Sequence, residues 1–111
     1  MNDQNDAVSV DTITDRPSYV AWRTDWRTRY AAASEAVRAA KRTLVRLRAD
    51  WKANVPRGAN ETYEFRINSL NERLPWLRYT AAALMRERGV ATEIRDALLE
   101  EARAARQAIA A

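Results

Sequence analysis

An apolar stripe runs from Tyr19 to Trp51 through Trp22, Trp26, Tyr30, Ala33, Val37, Ala40, Leu44 and Leu47, in steps of three and four residues. A strand would alternate by twos, so the spacing predicts one long amphipathic helix with a coiled-coil-like seam. A helix of this kind is not stable alone and has to lie against a companion along its length. The first demand of the sequence is therefore for packing.

A companion is present further along. Tyr63, Ile67, Leu70, Leu74, Leu77, Ala81 and Leu84 repeat in alternating steps of four and three. Between the two stripes lies Asn54-Val55-Pro56-Arg57-Gly58-Ala59-Asn60, dense in turn-forming residues. The expected fold is all-α: a long antiparallel helical hairpin with helix 1 over about 17–53 and helix 2 over about 61–88. Asp15 or Ser18 serves as the first N-cap, and Asn60 as the second. Pro75 removes a donor inside helix 2 and predicts a kink or a break there. Gly89 is expected to end helix 2 as a left-handed cap. A shorter C-terminal helix, about 93–109, then starts from Thr92, with Ile94, Leu98, Ala102, Ala105 and Ile109 as its thin stripe. Residues 1–15 hold four acids, no Lys or Arg and no helical period, and read as an extended or disordered arm. Residues 16–111 read as a single helical domain.

Composition narrows the function. With no Cys and no His, the chain lacks the usual nucleophile, general base and transition-metal ligands. Its two glycines leave no phosphate-cradling loop. The expectation is a protein that is not an enzyme, with no cofactor, no metal and no small-molecule substrate. No basic stretch leads into an apolar core at the N-terminus, and no run of eighteen apolar residues occurs, so neither a secretory signal nor a membrane span is expected. A cytoplasmic location fits this, as does a virion if the chain is phage-encoded. Twenty-two alanines supply much of the apolar content and there is one Phe. A core of small residues buries little area per residue, which favours completing burial against another chain.

Three features carry candidate function. Without the arm, nineteen basic residues face eleven acidic ones, a net +8 against +4 for the whole chain. Helix 1 concentrates that charge on a flank of Arg23, Arg27, Arg38, Lys41, Arg42 and Arg46, with Asp25, Glu35 and Asp50 expected on the other side. Such a flank suits a phosphate backbone or an acidic partner; on many helices it is only a solvated face. Arg outnumbers Lys by seventeen to two, which suits interface pairing, although a GC-rich genome gives the same bias. Phe65, Trp76 and Tyr79 lie opposite the helix 2 seam, where a single hairpin partner cannot reach them. They are covered by the C-terminal helix or the arm, or they anchor another protein. Trp51, near the turn, is followed by Lys52 and Ala53, so the Trp-x-Gly motif of helical-hairpin secretion substrates is absent and no family is assigned.

The expected function is that of a non-enzymatic structural or assembly protein. It would work as a homo-oligomer or as a helical subunit of a larger complex, such as a bacteriophage head, connector or tail. Two alternatives stand beside it: a basic accessory protein that binds nucleic acid through phosphates, and a small inhibitor or adaptor of one host protein.

Overall fold

The computed structural model describes residues 7–54 and 60–110. The described residues are all-α, with no strand among them, and form a helical hairpin. A short 3₁₀ turn, Val10–Thr12, precedes α1 (Arg16–Asn54), and α2 covers Asn60–Ala110. The expected turn at 55–59, and residues 1–6 of the expected arm, lie outside the described residues.

Helix α1 starts where its first amides find partners. Asp15 is the N-cap: its carboxylate accepts from the Ser18 N–H at 3.0 Å, and the Ser18 hydroxyl oxygen accepts from the Asp15 N–H at 3.0 Å. This reciprocal pairing satisfies two groups that a helix end otherwise leaves without bonds. The Ser18 hydroxyl bond holds the Asp15 carboxyl below its ordinary pKa. Pro17 falls in the first turn, where its missing N–H costs no helical bond.

The separate C-terminal helix is not found: α2 is a single helix of 51 residues that runs through both Pro75 and Gly89. Gly89 does not cap it, and Thr92 lies inside it. The reason is phase. Leu70, Leu77, Leu84, Ala91 and Leu98 stand seven apart on both sides of Gly89, so a continuous helix keeps all five on one face. Leu84 and Ala91 are buried there. A helical glycine costs only about 1 kcal/mol relative to alanine, less than the burial lost by breaking the helix. Pro75 likewise produces no break, although the helix gives up one backbone bond at that point. Asn60 is the first residue of α2, and its side-chain carbonyl accepts from Trp51 Nε1 at 2.7 Å.

A Cβ added at Gly89 meets nothing within 4 Å. Gly89→Ala is therefore expected to stabilise the protein by about 1 kcal/mol, raising the midpoint by several degrees in a thermal melt. An unchanged or lower midpoint would contradict the open space around Gly89.

The chain forms two compact units. The first joins the described part of Met1–Tyr30 to Ala83–Ala111. Ile13, Trp22, Trp26, Leu84 and Ala91 are its buried residues. Along α1 the rings of Tyr19, Trp22, Trp26 and Tyr30 follow one another at centroid distances of 6.0, 6.1 and 5.0 Å. Trp26 Nε1 donates to the Leu84 carbonyl at 2.7 Å, which fixes antiparallel register in this unit.

The second unit is Ala31–Ala82. Ala40, Leu44, Leu47, Ile67 and Leu74 form its core, with Val37, Trp51, Tyr63, Leu70 and Leu77 packed around them. These are the seam positions of both predicted stripes. No helix among the described residues is long and apolar enough to cross a membrane.

Candidate functional site

The strongest polar cluster lies in the first unit. Arg29 donates through Nε to Asp25 Oδ2 at 2.7 Å, and through its two terminal nitrogens to Glu87 at 3.1 and 2.6 Å. Glu87 also accepts from Trp22 Nε1 at 2.8 Å. Asp25 accepts from the Val8 N–H at 3.1 Å, which ties the segment before α1 to the helix. The Arg29 bonds pull the Glu87 carboxyl below its ordinary pKa against partial burial, and the Glu87 bonds raise that of Arg29. Arg29 is shared between the two carboxylates, which lie close enough for Asp25 to oppose the ionisation of Glu87. Through the Trp22 Nε1 bond to Glu87, the network holds the buried Trp22 in place. Among the described residues, no set of three carboxylates converges as a metal site would require.

The helix 2 aromatics are exposed. Phe65 and Trp76 are 71% and 73% exposed, and Tyr79 is 61% exposed. Phe65 and Trp76 are eleven residues apart, three helical turns, and so share one face of α2. The C-terminal helix, one of the segments that could have covered them, is instead the continuation of α2 itself.

The basic flank is less uniform than its spacing implies. Arg38 and Arg42 both bond to Glu35, at 3.3 and 2.6 Å, so Glu35 sits among the basic residues and not across from them. Arg42 is the main cause of the lowered Glu35 pKa. In the first unit, Arg23 is half-buried over the Tyr19 ring, 5.6 Å from its centroid, and its Nε has no hydrogen-bond partner among the described residues. Arg27 is exposed in the first unit, and Lys41 and Arg46 are exposed in the second.

Two grooves lie on the described surface. In the first unit, a groove of about 630 Å³ runs between Arg16–Arg23 and Arg95–Ala102, floored by Tyr19, Val20, Leu98 and Leu99. In the second, a shallower groove of about 410 Å³ has Leu44, Leu74 and Pro75 as its floor, with Lys41, Arg48 and Arg78 on its rim. Its lining contains no carboxylate, and Val45 within it is 67% exposed.

Lys41 and the aromatics are named as candidates from the sequence alone, while Arg29, Glu87 and Arg48 are not singled out there. The Asp25–Arg29 spacing of four was a readable helix pair. Glu87 required the register between two helices, which no local pattern carries. Arg48 stands seven residues after Lys41 with Val45 between them, a spacing that places both cations on one face. No family model, curated protein or solved structure matches this chain.

Proposed function

We propose that this chain is a non-enzymatic assembly protein, a helical subunit that associates with further protein chains through the outer face of α2. The observation that supports this reading is the exposure of Phe65 and Trp76 on one face of a long helix. Large aromatic side chains held in water at this spacing cost solvation free energy and gain it back at an interface, where Trp and Tyr dominate binding energy. The absence of Cys and His leaves catalysis with few of its usual side chains, which supports a non-enzymatic reading.

Binding of nucleic acid through phosphates has weaker support. Two of the six flank residues, Arg38 and Arg42, are already engaged by Glu35. That reading predicts duplex binding that weakens steeply with salt and falls when Arg38, Arg42 and Arg46 become Gln.

The assembly reading is tested by sedimentation velocity of the intact chain over a range of concentrations. Wild type is expected to self-associate, and Phe65→Ser with Trp76→Ser is expected to weaken association about tenfold or more without loss of helix by circular dichroism. A wild-type chain that stays monomeric throughout, indistinguishable from the double variant, would contradict it.

A further inference from the structure

The cationic groove of the second unit has a complement on the same chain. Lys41, Arg48 and Arg78 are exposed around an apolar floor, and none has an ion-pair partner among the described residues. Three like charges beside an exposed Val45 favour a ligand that is both anionic and apolar. A bare phosphate backbone uses the charges but not the floor.

In the first unit, the C-terminal part of α2 presents Val90, Glu93, Ala97 and Glu100 on one face, all exposed. Glu93 has no ion-pair partner among the described residues. Glu100 is held only by the exposed Arg103 at 2.6 Å, a contact of small net worth that a second cation can replace. The spacings agree as well as the charges. Lys41 and Arg48 are seven residues apart on α1, and Glu93 and Glu100 are seven apart on α2. At 1.5 Å per residue, both pairs span about 10 Å.

We infer that the second-unit groove (Lys41, Arg48 and Arg78 around Val45) is the docking site for the acidic α2 face (Val90, Glu93 and Glu100) of a second copy of this chain. This rests on the assembly reading and gives one contact of that assembly a chemistry. The contact is heterologous: each copy offers one groove and one acidic face, so association runs head to tail. Lys41 and Arg48 take Glu93 and Glu100, while Val90 and Ala97 cover the apolar floor.

The test is a charge-reversal exchange on the full chain, read by sedimentation velocity with circular dichroism as the check on folding. One variant carries Lys41→Glu, Arg48→Glu and Arg78→Glu; the other carries Glu93→Lys and Glu100→Lys. Wild-type association is expected to weaken as salt rises from about 0.05 M to about 1 M, because these contacts are exposed and screened. Each variant alone should associate about tenfold or more weakly than wild type, since like charges then meet. An equimolar mixture of the two should recover association, because each variant's groove now matches the other's acidic or reversed face. Association that ignores salt and both reversals, or a mixture that fails to recover, overturns the proposal. If association survives both reversals but is lost in Phe65→Ser with Trp76→Ser, the groove pairing falls and the assembly reading stands. If wild type never associates, both fall.

Discussion

Trp22→Ala is expected to cost about 3–5 kcal/mol, the largest effect of any single substitution in this protein. Trp22 is 1% exposed and is the largest fully buried side chain. Its removal opens a cavity in a unit whose other buried residues include an alanine, Ala91, that has no extra bulk to fill it. It also takes away the Trp22 Nε1 donor to Glu87 and breaks the ring series from Tyr19 to Tyr30 in the middle. Typical domains are stable by only about 5–15 kcal/mol, so much of the stability goes with this one side chain. Trp22→Phe retains most of the buried area, and Glu87 keeps its two bonds from Arg29. It should therefore cost well under half as much. Urea denaturation of the two variants beside wild type measures both values. A loss below about 1 kcal/mol for Trp22→Ala would mean that the first unit is not packed around this ring.

The second large effect belongs to Glu87. Glu87→Ala leaves Trp22 Nε1 without its acceptor and Arg29 with only Asp25 to answer its charge. An uncompensated, partly buried charge and an orphaned donor together cost about 2–3 kcal/mol. The lower part of that range applies, because both side chains keep about a quarter of their exposure and water screens them. The same carboxylate sets a pH dependence. Its folded-state pKa is depressed, chiefly by the Arg29 bonds. Its contribution is therefore complete above the unfolded value of about 4.3 and is lost as pH falls through the folded value. Glu87→Gln should lower stability at neutral pH and flatten the acid limb of the stability profile. Equal slopes for wild type and Glu87→Gln below pH of about 4.5 would show that the network does not hold Glu87 ionised.

The seams were legible because burial on a helix repeats at three and four residues, and that period survives in the sequence without an alignment. Tyr19 to Trp51 and Tyr63 to Leu84 both appear as core or near-core positions. The misplaced helix end came from weighing one local signal above the pattern around it. Gly89 after the basic pair Arg86 and Arg88, followed by Thr92 and Glu93, resembles a helix stop and a new start. The seven-residue phase from Leu70 to Leu98 argued for continuity, and packing over that length outweighs one unfavourable residue. The polar network was beyond local reading, because Glu87 meets Arg29 and Trp22 only once two distant segments are in register. The basic flank was seen as charge, but spacing did not reveal that Glu35 engages Arg38 and Arg42.

Association between chains is the central claim, and sedimentation velocity of wild type beside the Phe65→Ser, Trp76→Ser variant tests it most directly. Wild type is expected to gain mass with concentration, while the folded variant associates about tenfold or more weakly. Superimposable monomer profiles for the two proteins at every concentration would contradict it.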